Sequence, residues 1–549
     1  MKPQSPSASS TGRDVPRRGT LIALAAGSVA VLASAACANS STANHKAGGS
    51  RPVVAGSGGT VTVRSVDDID TFNPAKTAAP NMSVQAIELT YDRLVYMTPG
   101  GTIEPYLATS WTTTPDSATL KIRKGATCAD GTPVTPTVVA DSLRYSTDPK
   151  TNGPYVNYLV GSAGVKSVTA DEAAGSVKIT LKAPYNALLQ ALAVPYVAPI
   201  ICPAGVKNPK SLDTAPDGSG PYVLDKSHTT RGDQYAFTLR KDYNWGPESW
   251  TAKKDGIPDT VVDRVVTDET TAANLLTTSQ VDIAPVFGIN ELRIEANKAA
   301  WSFTTSVLQV GSWGLVMNQM KGRPGADQLV RQAAFMAVDA QQLTEAAFSK
   351  QGVTFNTLVT PNMKCYDKSL AALNPGFSTD KAKQLLQQAG YTPDGSGNMT
   401  KNGKQLTLKI AMWNTTNQAG EYIQGQLRKI GIASTVQNTD INTWITTLFT
   451  TKNYDVTLYA YYSSLPNPVI FPSQSLSIVD PTYDSLSATA EAAAQGTDCA
   501  AWNKALTRAA TNYNIKSIGV SKNTWFAKNW HFAAPYNVAF DPFTIQKTR

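Results

Sequence analysis

Few side chains in this chain are suited to making or breaking bonds. Its 549 residues include three histidines, His45, His228 and His531, and a Ser-His-Asp relay needs one whose two ring nitrogens face a nucleophile and a carboxylate. His45 falls in a polar tract, which leaves His228 or His531. The chain contains no G-x-S-x-G elbow, no H-E-x-x-H pair and no G-x-x-x-x-G-K-[ST] loop. Paired carboxylates for glycoside hydrolysis are defined by a separation that only the folded chain sets. No two of the five cysteines stand at zinc-ligand spacing, so neither a metal nor a cofactor is expected. Recognition chemistry is better represented. Trp313 follows Gly311-Ser312, Trp413 follows a strand-like run from Leu406 to Met412, and Tyr459, Tyr461 and Tyr462 cluster before Ser463-Ser464. Such rings offer large area with few rotors and, for Tyr and Trp, a polar handle. They suit peptide side chains, sugar faces or a planar cofactor, and Tyr459 and Tyr461 fit equally as same-face residues of an ordinary strand.

The elements that must hold these rings are mixed. Val177, Ile179 and Leu181 alternate with Lys178, Thr180 and Lys182 and follow Val165 to Thr169 across a polar turn, which predicts a hairpin. Ala382, Leu385, Leu386 and Ala389 recur at helical spacing between Ser378-Thr379 and Gly390, which predicts a capped amphipathic helix. Val330, Ala334, Ala337 and Val338 repeat that pattern. Asp130-Gly131 separates an alternating run from a helical one and reads as a tight turn. The remainder after residue 58 is too long for one core, so at least two lobes are expected.

The N-terminus gives a destination. Arg13, Arg17 and Arg18 precede an apolar stretch from Leu21 to Ala36, too short and too rich in small residues for a membrane span, so residues 1–36 read as an export signal. Arg17-Arg18 fits either a twin-arginine signal or a chance pair in a basic leader. Residues 37–58, rich in Ser, Ala, Gly and Asn, read as a flexible tether. Six of the 49 Lys and Arg but one of the 41 Asp and Glu precede Gly59, leaving 43 basic and 40 acidic residues in the body. The basic character is therefore mostly N-terminal. No Lys/Arg stripe of the kind nucleic acids require runs through the body.

A set of motifs in fixed order carries a resemblance. They are Glu104-Pro105-Tyr106-Leu107-Ala108, Ser110-Trp111, Leu120 to Gly125, Ala129-Asp130-Gly131-Thr132-Pro133 and Ala140-Asp141-Ser142-Leu143. Farther on stand Gly220-Pro221-Tyr222, Leu239 to Trp245, Val281-Asp282-Ile283-Ala284, Leu329 to Ala333 with Ala337-Val338-Asp339, and Lys381 to Leu386 with Ala389-Gly390-Tyr391. Together they resemble solute-binding protein family 5, the extracellular oligopeptide-, dipeptide- and nickel-binding proteins of bacterial ABC importers. Gln280 stands where that family usually has a small or acidic residue. Cys37, after Ala35-Ala36, resembles the lipid-attachment cysteine of bacterial lipoproteins, with Ser34 where Leu is usual.

The resemblance implies an α/β, two-lobed, hinged fold. Residues 59–309 would form lobe I, with an inserted subdomain at about 94–195, residues 310–519 lobe II, and 520–549 a return to lobe I. The crossings are expected near Leu308 to Trp313 and Ile518 to Trp525. If Cys37 is lipidated, Cys128, Cys202, Cys365 and Cys499 remain. Of their three connectivities, Cys128 with Cys202 and Cys365 with Cys499 keep each bridge within one lobe; free buried thiols are the alternative. Ligand is expected between the lobes. The implied contacts are Thr71 and Phe72 in a loop after the Val61 to Arg64 strand, Trp313, Trp413, Tyr461, Tyr462 and Ser464. Ser464 falls where the family has a carboxylate that pairs with a peptide's ammonium, so either another acid, such as Asp67, Asp68 or Asp70, replaces it or the ligand has no free amino terminus there. The implied function is capture of a peptide or modified peptide for an ABC permease and its ATPase by a monomeric, membrane-anchored lipoprotein that is not an enzyme. An oligosaccharide is the first alternative and nickel a weaker one. A ligand sensor without transport and a secreted hydrolase are alternatives of other classes.

Overall fold

The Thr60–Ser65 strand shows how the pattern becomes structure. Val61 and Val63 are fully buried on one face, and the strand lies centrally in a sheet of seven. The sheet order is Ser302–Ser306, Asn523–Ala527, Ile283–Val286, Thr60–Ser65, Thr260–Val265, Gln234–Leu239 and Tyr222–Thr230. A second sheet of six runs Gly352–Thr354, Ile515–Ser521, Val310–Met317, Val456–Tyr462, Thr407–Trp413 and Ala433–Thr439. The computed structural model describes residues 58–548 except 78–79, 99–101, 162–163, 186, 298–299, 307–309, 362–364, 414–415, 463–475, 493–498, 522 and 535–538. Each large sheet has its own apolar core. One includes Val61, Tyr106, Leu120, Phe237 and Phe540; the other includes Leu315, Val330, Leu386, Ile410 and Leu458.

Between the Thr60–Ser65 and Tyr222–Thr230 strands, the chain forms a four-stranded antiparallel sheet in the order Ala108–Thr114, Ser117–Ile122, Ser176–Leu181 and Val165–Asp171. The expected hairpin is its last pair, with Val168 opposite Ile179. The Asp130-Gly131 turn is also present. Gly131 takes φ +88° and its N–H bonds the Cys128 carbonyl, while the Asp130 carboxylate accepts from Thr132 N–H at 2.9 Å. A side chain at that φ is strained, which is why glycine stands there. The helix expected after Ser378 spans Thr379–Gln388, with Ser378 Oγ accepting from Lys381 N–H. Disulfides join Cys128 to Cys202 and Cys365 to Cys499.

The most conspicuous motif residues converge on one buried acid. Asp92 accepts from the hydroxyls of Tyr106 and Tyr243 and from Trp245 Nε1, the last at 2.8 Å. Burial raises the Asp92 pKa, and the hydrogen bonds from Tyr106, Trp245 and Tyr243 oppose that rise. Tyr106 comes from the opening motif and Tyr243 and Trp245 from the aromatic turn, so these signatures record a shared polar clamp in the first core. Removing an acceptor from such a site orphans its donors, at a cost of about 1–3 kcal/mol for each buried group left unsatisfied.

Asp263 is a contrasting case. It is fully buried between Val63 and Tyr235 on the neighbouring strands, and neither carboxyl oxygen has a hydrogen-bond partner among the described residues. Burial alone pushes its pKa up from 3.8 to about 7. The folded chain thus holds this proton more tightly than the unfolded chain. Its contribution to stability is full below about pH 4 and is lost as pH rises toward 7, with a slope of up to about 1.4 kcal/mol per pH unit. The Asp263→Asn variant is expected to lose less stability than the parent between pH 4 and pH 8, read as the urea midpoint at each pH. Parallel profiles for the two proteins would show that Asp263 does not titrate as a buried acid.

Candidate functional site

Both connections between the large sheets leave from the same edge of each. Three residues separate Ser306 from Val310, and one separates Ser521 from Asn523. At no more than about 3.6 Å per residue, the second connection spans only about 7 Å. On the first sheet, Ser306 pairs with Asn523 and Val286 with Thr524, so the parallel strands ending at Ser65, Val265 and Val286 finish at that edge. On the second sheet, Val310 pairs with Tyr462 and Trp313 with Gly519, while Thr407–Trp413 runs parallel to Val456–Tyr462 and ends at the same side. In open α/β sheets this carboxyl edge, beside a change in strand order, is where ligands sit.

The second sheet's edge is built of rings. In Thr407–Trp413, Leu408, Ile410 and Met412 turn into the core, so alternation sends Ala411 and Trp413 to the opposite face. Trp413 stacks on Trp313 with centroids 5.1 Å apart and lies 4.6 Å from Trp444. Trp444 stacks in turn toward Tyr459 at 6.4 Å, and Phe348 meets Trp313 edge-on at 5.3 Å. Trp444 is carried by the short Ile441–Ile445 helix, whose start is fixed by Asp440 accepting from Thr443 N–H. Its Nε1 donates to Thr457 Oγ1 at 3.2 Å, and that hydroxyl donates to the Ala411 carbonyl at 2.8 Å. Trp313 and Trp444 are buried, whereas Trp413 and Tyr459 are half-buried. The pile is therefore braced from behind and open at its middle.

One close approach reaches this edge from the other side. Gly288, at φ +64° just beyond the Ile283–Val286 strand, lies so close to Ser349 that an added Cβ would stand 3.2 Å from its Oγ. Ser349 directly follows Phe348. Tyr158 stands on the short Val156–Val160 helix. Burial raises the Tyr158 pKa well above its ordinary value, with Tyr459, Tyr196 and Tyr185 pushing the same way. Tyr155 packs edge-on against both Tyr158 and Tyr196, at 5.8 and 5.1 Å.

Of the sequence candidates, Trp313 and Trp413 come together. Tyr461 and Tyr462 end the Val456–Tyr462 strand beside them. Ser464 and Cys37 lie outside the described residues. Thr71 and Phe72 are buried in the first core. Phe72 meets Tyr235 edge-on at 5.8 Å, and Thr71 Oγ1 accepts from Asn73 N–H at 3.0 Å. The nearby acids are bonded locally. Asp68 accepts from Tyr235, Ile69 N–H and Gly232 N–H, and Asp70 from Thr71 N–H, Thr77 and Ser83. Glu269, at the same edge, is held by Arg64 at 2.7 and 3.0 Å. Among the described residues no group of three His, Cys, Asp or Glu is arranged to hold a metal ion. At His228, Ser227 and Asp225 both approach Nδ1, at 3.1 and 2.7 Å, and the ring is 74% exposed, so it has no relay geometry. Sequence reasoning missed Trp444 and Phe348, and no periodic pattern marks Trp444.

Comparison with known proteins agrees with the motif order. The sequence model of the bacterial extracellular solute-binding proteins, family 5 middle, matches residues 102–480. The chain is 27% identical over 380 residues to the nickel-binding periplasmic protein of Escherichia coli K12, covering 66% of this chain and 68% of that protein. It is 28% identical over 343 residues to the glutathione-binding protein GsiB of the same strain, covering 61% and 60%. A substrate binding protein from Microbacterium hydrocarbonoxydans, solved in complex with 4-hydroxybenzoate hydrazide, superposes with a TM-score of 0.74 at 26% identity, covering 89% of this chain and 100% of that one.

The ring pile has a spectroscopic consequence of its own. Indoles held this close couple electronically, so the far-ultraviolet circular dichroism is expected to carry an exciton couplet that Trp413→Ala removes while leaving the unfolding midpoint nearly unchanged. An unaltered spectrum in that variant would show that Trp413 does not bridge Trp313 and Trp444 in solution.

Proposed function

The chain belongs to the bacterial extracellular solute-binding proteins of family 5, and from that premise we propose that it captures a peptide or modified peptide between its two sheets and delivers it to an ABC permease. The observation that carries this reading is the Trp313–Trp413–Trp444 pile at the edge where both connections cross. In this reading residues 59–309 and 520–549 form one lobe and 310–519 the other, with the insertion at about 94–195. Closure is a population shift, driven by the ligand's preference for the form in which both walls touch it. Trp413 and Tyr459 offer the ligand flat faces, and Tyr461, Tyr462 and Ser464 are the further contacts that the family resemblance implies. Thr71 and Phe72 serve by fixing their loop rather than by contact. Cys37 carries the lipid that keeps the exported protein at the outer face of the membrane.

Several points favour a ligand without a free ammonium at Ser464. A serine there forgoes a charge-assisted bond worth on the order of 1.5–3 kcal/mol, and Asp68, Asp70 and Glu269 are engaged elsewhere. The glutathione-binding relative and the relative holding an aromatic hydrazide support a small ligand rich in amide groups. Native mass spectrometry of the untagged protein, followed by denaturation and identification of what is released, tests the assignment. Release of short or blocked peptides, or of related amides, is the expected result. Release of an oligosaccharide would replace the peptide reading by a sugar-binding one.

A further inference from the structure

We propose that Gly288 and Ser349 form the fulcrum on which the two lobes turn, and that the absence of a side chain at Gly288 is what lets them close on a solute. Gly288 is then a positioning residue of the capture step, acting through the angle between the walls and not by touching the solute. This rests on the two-lobed reading of the chain.

Three observations carry it. First, the two residues flank the shorter crossing. Val286, two residues before Gly288, pairs with Thr524, and Gly352, three residues after Ser349, pairs with Ser521. They therefore stand on either side of the single residue that joins Ser521 to Asn523. The two strands that carry the crossings, Ser302–Ser306 and Asn523–Ala527, form one edge of the first sheet. Gly288 thus lies on the side to which the rest of that sheet extends, where the walls face one another. Second, the approach is already at contact. A Cβ on Gly288 would stand 3.2 Å from Ser349 Oγ and 3.5 Å from its Cβ, and would meet nothing else within 4 Å among the described residues beyond its chain neighbours. Third, both sides are braced. Thr524 Oγ1 donates to Glu291 Oε1 at 2.6 Å and Glu291 N–H to the Gly288 carbonyl at 3.2 Å, which ties the start of the Ile289–Glu295 helix to the strand after the crossing. Opposite, Ser349 and Lys350 take φ +48° and +66° in a turn closed by Gln351 N–H on the Phe348 carbonyl at 2.8 Å. Two successive positive φ angles are what a type I′ turn requires, a tight and rigid connection. Phe348 in turn packs on Trp313 at 5.3 Å. A group added at the contact is therefore taken up by the angle between the sheets, and a wedge on the facing side shifts the population away from the closed form.

The test is small-angle X-ray scattering of the full chain stripped of co-purified solute, with native mass spectrometry of the unstripped protein. A fulcrum stays in contact at every angle, so scattering reads it whether or not solute is bound. Gly288→Ala is expected to enlarge the radius of gyration and to lose most of the solute that the parent retains. Adding Ser349→Gly removes the one side chain that the new methyl meets, while an alanine at φ +64° remains strained. The double variant is therefore expected to return both readouts to the parent's. Ser349→Asn brings bulk from the other wall at a φ that Asn tolerates. It is expected to act like Gly288→Ala and carries the comparison if that variant does not fold. Equal changes with and without Ser349→Gly would assign the effect to strain at residue 288 and overturn the fulcrum. Parent-like scattering of both Gly288→Ala and Ser349→Asn would overturn it as well. If the variants scatter as expected but the parent carries no solute, the fulcrum stands and the capture reading fails.

Discussion

Three residues in one connection and one in the other tie the two large sheets together, and the rest of the molecule's organisation depends on how short these ties are. A chain that passes from sheet to sheet in so few residues cannot place the connected strand ends far apart. The carboxyl ends of the parallel strands of both sheets then lie beside the crossings. Trp413 ends one such strand, Tyr462 ends the neighbouring one, and Trp313 is the fourth residue of the Val310–Met317 strand that follows the first crossing. The cleft is thus a consequence of connectivity before it is a consequence of side-chain choice.

Side-chain choice then divides into two tasks. One is rigidity, for which the chain uses buried polar clamps. Asp92 gathers Tyr106, Tyr243 and Trp245 in the first core. In the second, Lys516 donates from Nζ to the carbonyls of Phe335, Val338 and Pro375 at 2.6–2.8 Å, holding the end of the Gln328–Met336 helix to the Ile515–Ser521 strand. The other task is an adaptable contact surface, for which the chain uses rings braced by one another and by Thr457. Aromatic surface braced in this way presents area without paying much conformational entropy on binding. That is the property a protein needs when it must hold a solute firmly enough to close, yet release it to a partner.

The fold was largely readable because its signals are local. Period-two alternation marked the Val165–Asp171 and Ser176–Leu181 hairpin, helical spacing with Ser378 and Gly390 marked the Thr379–Gln388 helix, and Asp130-Gly131 marked its turn. The motifs were readable as a family signature, but not for what they do: nothing in the spacing of Tyr106, Tyr243 and Trp245 says that a single carboxylate unites them. The ring pile was half readable. Trp313 and Trp413 stand out by rarity and by position at strand ends, whereas Trp444 reaches the pile from a Thr-rich segment with no periodic pattern. Such meetings are tertiary facts. Thr71 and Phe72 illustrate the converse, a loop whose sequence suggests the cleft while its side chains are spent on the first core.

The most direct test of the account is hydrogen exchange on the full chain before and after its co-purified solute is stripped. If solute binds against the braced ring edge, exchange is slower in the loaded protein in peptides covering the Val310–Met317 and Thr407–Trp413 strands. Protection confined to the cavity lined by Asn356, Asp367, Asn374 and Leu506, or no change at the strand ends, would contradict it.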